Sequence, residues 1–222
     1  MNNACVFCDR ANLEERLIYE NEDFYVAATL GQITDGGYVL IIPKKHIQCI
    51  GELSSRFRGS YVFGNQAEEI FILTNRVCRA ISSEYKKGKS VAQYAVTTFE
   101  HGIVGQTIKH AHLHILPLPF DLTPRIQADF PNSRTEVLIS GQISHLQALY
   151  CIYRKPYLFW STPTGDKMVC WNPPAPVQYL RLVAAELLGR PERGNWRDIN
   201  PEQDKVFWQE TVHRLKPYFS NN

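Results

Sequence analysis

Three histidines alternate with apolar residues in Lys109-His110-Ala111-His112-Leu113-His114-Ile115-Leu116-Pro117, the densest run of imidazoles in the chain. In a β-strand successive side chains point to opposite faces, so His110, His112 and His114 line one face while Ala111, Leu113 and Ile115 pack into the core. Neighbouring imidazoles then stand roughly 6–7 Å apart on a rigid support. An imidazole that is largely neutral near pH 7 can ligate a metal, donate to a phosphate oxygen or attack phosphorus. One such histidine reads as chance polar alternation; three in strict register do not. Cys5-Val6-Phe7-Cys8 adds two thiols at the spacing that shares one tetrahedral metal, with two further ligands needed from elsewhere. A thioredoxin-like redox pair is the rival, but that pair normally starts a helix after a strand, and only a short tail precedes Cys5. His46 follows Pro43-Lys44-Lys45 at what reads as a strand end, a place from which a side chain reaches into a site.

The elements that must position these groups are β-rich. Leu17-Ile18-Tyr19-Glu20, Phe24 to Ala28 and Tyr38 to Ile42 predict three strands of an antiparallel meander, separated by the turn signals Asn21-Glu22-Asp23 and Thr34-Asp35-Gly36-Gly37. Pro43 ends the third strand by removing a ladder donor. Leu53 to Phe63, broken by Gly51, Gly59 and Gly64, predicts only weak helix or loop. A long helix is predicted over 66–85, where Ile70, Leu73, Val77 and Ile81 recur at three- and four-residue spacing, closed by Lys86-Lys87-Gly88-Lys89. Val91 to Phe99 predicts a further strand. The loop after it ends in Gly105-Gln106-Thr107, whose backbone N–H groups beside two polar side chains are of the kind that cradle a phosphate, immediately before the histidines.

With 222 residues, 44% hydrophobic and 21% charged, the chain reads as globular, one large domain or one domain with an extension. A net charge of +2 gives no case for long nucleic acid, although the basic cluster at Pro43 to His46 is either a solvated turn or a contact for a small anion. No apolar run approaches the roughly 20 residues that span a bilayer, and Met1 to Cys5 lacks a signal segment, so a cytoplasmic protein without membrane partners is expected. In a reducing compartment the other four cysteines, Cys49, Cys78, Cys151 and Cys170, are expected to be small buried apolar residues.

Taken together, Cys5-x-x-Cys8, Pro43-Lys44-Lys45-His46, Gly105-Gln106-Thr107 and the run from His110 to Leu116 resemble the histidine triad (HIT) family of nucleotide hydrolases and transferases, over roughly residues 1–120. The resemblance implies an α+β fold, an antiparallel sheet with a long helix, and reaction at the α-phosphate of a small nucleotide conjugate such as a dinucleoside polyphosphate or nucleoside phosphoramidate. Carried onto this sequence, it makes His112 the catalytic nucleophile that forms a nucleotidyl-imidazole, and gives Gly105, Gln106, Thr107 and His114 to the phosphate. Members that carry zinc use the residues matching Cys5, Cys8, His46 and His110, a Cys2His2 set with no open position, hence a structural zinc. The alternative is a nucleotide-binding or regulatory protein that keeps the scaffold and zinc without turnover. Small members usually form homodimers that join their sheets; here the extension is an alternative cover for that surface.

Two positions depart from the family pattern. Leu30 stands where the ribose-gripping carboxylate is expected, and Phe99 stands where many members have asparagine before the glycine loop. Glu100 and His101 either supply another specificity or close a turn. Residues 121–222 form a C-terminal extension, also α+β: a proline-punctuated connector over 121–132, a helix over 133–146, three strands at Leu149–Tyr153, Tyr157–Trp160 and Lys167–Trp171, and helices over about 177–188 and 201–215. Extensions with a similar Pro176-x-Gln178-Tyr179-x-Arg181 helix and an Asn195-Trp196-Arg197 segment occur on some bacterial members of the family. Arg181 and Arg197 are open to two readings, guanidinium forks on a phosphate or ordinary surface charges.

Overall fold

The structure, a computed structural model, describes residues 5–53, 66–86, 94–139 and 143–220. Within them eight strands form one antiparallel sheet: β1 (Leu17–Glu20), β2 (Phe24–Ala28), β3 (Val39–Pro43), β4 (Val96–Gly102), β5 (Leu113–Pro117), β6 (Thr135–Val137), β7 (Tyr157–Ser161) and β8 (Lys167–Trp171), in the order β1-β2-β3-β5-β4-β7-β8-β6. Five helices flank it: α1 (Gln66–Tyr85), α2 (Thr123–Asp129), α3 (Ile143–Tyr153), α4 (Tyr179–Leu187) and α5 (Pro201–Leu215). The fold is therefore α+β, as expected.

Both faces of the sheet are covered, which is why its central strands are apolar almost without interruption. Val39 and Ile41 of β3 join one core with the α1 stripe Ile70, Leu73, Val77 and Ile81, whereas Leu40 and Ile42 face the other side with Phe7, Leu13 and Tyr25. In β7 Tyr157 and Phe159 enter the first core, and Leu158 and Trp160 pack with Leu180, Val183 and Ala184 of α4. The same period of two places Ala111, Leu113 and Ile115 in the α1 core. His114 therefore looks to the opposite face, paired with Leu40 on one side and Phe99 on the other.

The meander, α1 and the last helix stand where the sequence predicts them. At the first turn the Asn21 side chain accepts from the N–H groups of Asp23 and Phe24 at 3.1 and 2.7 Å. Elsewhere the structure corrects the reading. Leu149–Tyr153 is not a strand but the second half of α3, because burying Ile143, Leu146, Gln147 and Tyr150 follows helical spacing and leaves Cys151 and Ile152 exposed. The helix predicted over 133–146 is instead β6, paired with β8, and then the start of α3. The connector over 121–132 contains α2. The strand predicted over 91–99 lies later, at Val96–Gly102, so Glu100 and His101 sit inside β4 rather than closing a turn. The helix predicted over 177–188 starts at Tyr179, after Gln178 at φ 64°. Val91, the stretch 54–65 with Gly59 and Gly64, the closing Lys87-Gly88-Lys89 and Gly141 lie outside the described residues.

The extension adds to the sheet that carries the histidines. β7 pairs along β4 from Phe99↔Trp160 to Gly102↔Tyr157, so β4 has β5 on one side and β7 on the other, and the sheet edges are β1 and β6. No described helix is long and apolar enough to cross a membrane.

Candidate active site and metal centre

His110 and His112 precede the paired part of β5, and His114 lies within it. The three imidazoles are buried but not equivalent. His110 donates from Nε2 to the carbonyl of Pro43 at 2.8 Å, which leaves Nδ1 facing the thiols of Cys5 (3.4 Å) and Cys8 (3.5 Å). The Cys8 thiol lies 3.2 Å from Nδ1 of His46. All four ligand atoms fall within 4.8 Å of one another. Tetrahedral zinc with usual bond lengths separates a sulfur from a nitrogen ligand by about 3.6 Å, so this set fits such an ion. The carbonyl of Pro43 supplies the outer partner that a metal-bound imidazole normally has. The four residues expected to share a metal are thus brought together as a possible metal-binding group.

His112 donates from Nδ1 to the carbonyl of His110 at 2.6 Å, leaving Nε2 as the lone-pair nitrogen. Burial pushes its pKa down to about 4, so the ring is neutral at pH 7. His114 is stacked on Phe99, ring centroids 4.5 Å apart at 18°. Its Nδ1 lies 2.7 Å from the Tyr38 hydroxyl, and burial, with His112, His101 and Arg181 nearby, holds its pKa well below the ordinary value. His101 faces the same side and accepts the N–H of Leu180 at 3.0 Å. Burial pushes it down to about 3.

His112 and His114 open onto a cavity of about 280 Å³ whose walls include Thr107, Leu30, Arg16, Arg181 and Trp196. Thr107 lines the same cavity as His112 and His114. Gln106 turns its amide to the carbonyl of Gln48, 2.7 Å away. Gly105, at φ +75°, is where β4 and the extension meet: a Cβ there would stand 2.9 Å from both His101 and the carbonyl of Pro176, and its own carbonyl accepts the N–H of Gln178. Arg197 is exposed and lies against the Trp196 ring, whereas Arg181 is buried in the cavity wall.

Leu30, singled out in the sequence, is 42% exposed and lines the cavity, and the turn it begins is held by residues of the extension that motif spacing does not reveal. Asp204 of α5 accepts the N–H groups of Gly31 and Gln32 at 2.9 and 2.7 Å, and Arg181 donates to the carbonyl of Gly31 at 2.8 Å. Gly31 is at φ +74°, and a Cβ would stand 2.4 Å from that of Trp196. The turn is thus a docking point for the C-terminal helices. Tyr38 and Asp204 carried no signal beyond composition; for Arg181 and Trp196 the only signals were the Pro176 to Arg181 and Asn195 to Arg197 segments.

Beneath the site, on the opposite face of β4, Glu100 is buried. It accepts the N–H of Ile50 at 2.7 Å and the hydroxyl of Tyr157 at 2.6 Å, and that hydroxyl accepts the N–H of Gly51 at 3.0 Å. Burial pushes its pKa up to about 8.

Residues 10–120 match the HIT domain family. The chain is 26% identical over 117 residues to the Bacillus subtilis (strain 168) protein named Protein hit, covering 51% of this chain and 70% of that one. Among solved structures it is similar to a HIT family protein from Bacillus anthracis, at 26% identity and a TM-score of 0.40 over 53% of this chain and 74% of that one. A protein of Streptococcus mutans UA159 is similar at 27% identity and a TM-score of 0.39, covering 53% and 66%.

Proposed function

Because this chain belongs to the HIT domain family, whose match spans half of it, we propose that it is a nucleotidyl hydrolase or transferase acting at the α-phosphate of a nucleotide conjugate. The carrying observation is the bond from His112 Nδ1 to the carbonyl of His110, which fixes the tautomer and aims the lone pair at Nε2. In the first displacement Nε2 forms a bond to phosphorus while the bond to the leaving group breaks, with the electron pair departing on that group. Water or an acceptor oxygen then displaces the imidazole and completes the transfer. Ring neutrality at pH 7 keeps the nucleophile available. Thr107, Gly105, Gln106 and His114 are assigned to the phosphate, with Gln106 turning from Gln48 to reach it.

Cys5, Cys8, His46 and His110 are assigned to a structural zinc, because four protein donors leave no position for substrate. When bound, such an ion would steady the segment that carries His112. All six cysteines are unpaired, which suits the reducing cytoplasm. Incubation with adenosine phosphoramidate, diadenosine polyphosphates and nucleotide sugars, followed by acid-free quenching and mass spectrometry, is expected to show a nucleotidyl adduct on the His112 peptide. Inertness of the wild type toward all three classes would remove the catalytic reading.

Leu30 at the expected carboxylate position favours a second reading, a nucleotide-binding protein without turnover. Tight binding with the ligand recovered intact after hours would select it.

A further inference from the structure

Arg181 is 4% exposed, yet among the described residues no carboxylate lies within ion-pair distance of it. Its partners are neutral: Nε donates to the carbonyl of Gly194 (3.2 Å), Nη2 to that of Gly31 (2.8 Å) and Nη1 to the hydroxyl of Tyr38 (3.1 Å). A guanidinium has five N–H bonds, so two remain. A buried charge without a counter-charge is costly, and proteins keep one where a ligand supplies the opposite sign. This one lines the cavity shared by His112, His114 and Thr107.

The proton order in the chain from Arg181 to His114 follows from chemistry. Arg181 can only donate, so the Tyr38 oxygen accepts from it and sends its own proton to Nδ1 of His114, 2.7 Å away. A neutral His114 then carries its proton on Nε2. That atom is buried and has no hydrogen-bond partner among the described residues. His112 thus holds its proton on Nδ1 and His114 on Nε2, one ring set to attack and the next to donate.

We propose that Arg181, a residue of the extension, is the cation of the phosphate site: its two free N–H bonds take a phosphate oxygen of the substrate, and through Tyr38 it sets His114 to donate from Nε2. The assignment rests on the phosphate chemistry proposed above and adds a residue from outside the matched family region. It also gives the extension a chemical task. The charge that the site lacks at Leu30 is a negative one, and the charge it gains at Arg181 is positive, so recognition shifts from the sugar hydroxyls toward the phosphate.

The test is calorimetric titration of wild type, R181K, R181M and Y38F with AMP, adenosine and inorganic pyrophosphate, together with 15N spectra of His114. Wild type is expected to bind AMP roughly 10–100-fold more tightly than adenosine, the range of a charge-assisted hydrogen bond and its charge. R181M is expected to cut that preference roughly tenfold, leaving the part due to Thr107, Gln106 and His114, and R181K to restore part of it. Y38F, which removes one oxygen and leaves the guanidinium bonds to carbonyls in place, is expected to shift His114 from the Nε2–H form toward a mixture; this variant and R181K carry the test if R181M does not fold. If wild type prefers AMP and R181M binds it equally well, the assignment of Arg181 fails and the phosphate reading stands. If wild type binds AMP and pyrophosphate no better than adenosine, the cavity is not an anion site and both fail. A wild-type His114 protonated on Nδ1 would overturn the link through Tyr38.

Discussion

The two ends of the histidine run are built in opposite ways. At one end His110 and His46 meet two thiols on a short N-terminal segment, with Cys8 and His46 exposed to solvent. At the other end His114 is closed in by Phe99, Tyr38 and, through Tyr38, by Arg181 of the C-terminal extension. The first end gathers Cys5, Cys8, His46 and His110 and would gain its rigidity from the proposed ion; the second is already fixed by packing and hydrogen bonds. His112 stands between them and borrows from both, its Nδ1 from the thiol-end backbone and its neutrality from the buried end. If His112 is the nucleophile proposed above, its being held from two independent sides means that loosening either one costs less than losing its own ring.

That comparison orders the expected effects of mutation. Removing the shared centre is the largest: H112A is expected to lower turnover of adenosine phosphoramidate roughly 10⁴-fold with an unchanged melting temperature within a few degrees, read by steady-state kinetics and calorimetry. Next is E100Q, because Glu100 ties Tyr157 of the extension to the loop that follows His46. Its carboxyl has an ordinary value of 4.5 and is raised to about 8 in the fold. The folded state therefore keeps a proton that the unfolded chain releases, and its stabilising effect is lost as pH rises from 4.5 through 8. Relative to E100Q, wild type should lose stability on the order of 4 kcal/mol across that window. Denaturant titrations at several pH values check this, and parallel curves for the two proteins would contradict it.

Breaking only the thiol end has a smaller effect on catalysis. C5S is expected to take bound zinc from about one equivalent to none in protein purified without chelator, and to cost roughly 10–100-fold in activity. Bound zinc unchanged in C5S would remove the proposed centre. Loosening the turn at the other end is expected to cost least: D204N replaces one of two backbone acceptors by an amide and should destabilise by about 1–2 kcal/mol, with a several-fold rise in KM and little change in kcat.

The thiol end was almost wholly legible in the sequence. Cys5, Cys8, His46 and His110 are chemically rare types at motif spacing, and the structure brings all four together. The guanidinium end was only partly so: His114 stands in the histidine run and Arg181 was open to a phosphate reading, but their links to Tyr38 and the Gly31 turn, like that of Asp204, act at separations of 76 to 173 positions and fall in no local pattern. The strands of the first half were readable from turns and apolar runs. Leu149–Tyr153 was not: five apolar residues in a row suit a strand or a buried helix, and tertiary packing with Ile143 and Leu146 decided for the helix. Glu100 and His101 escaped for a related reason, since polar residues beside a glycine suggest a turn until a partner strand is known to continue the ladder.

The pairing of β7 on β4 bears on how the protein is made. Synthesis delivers β4 and the histidines well before residues 157–161, so the nascent chain carries an open strand edge beside Phe99 until β7 emerges. Arg181 and Asp204 follow later still. The site therefore assembles only when the chain has left the ribosome to beyond residue 204, and a truncated product ending near residue 120 is expected to present that bare edge to other chains and aggregate.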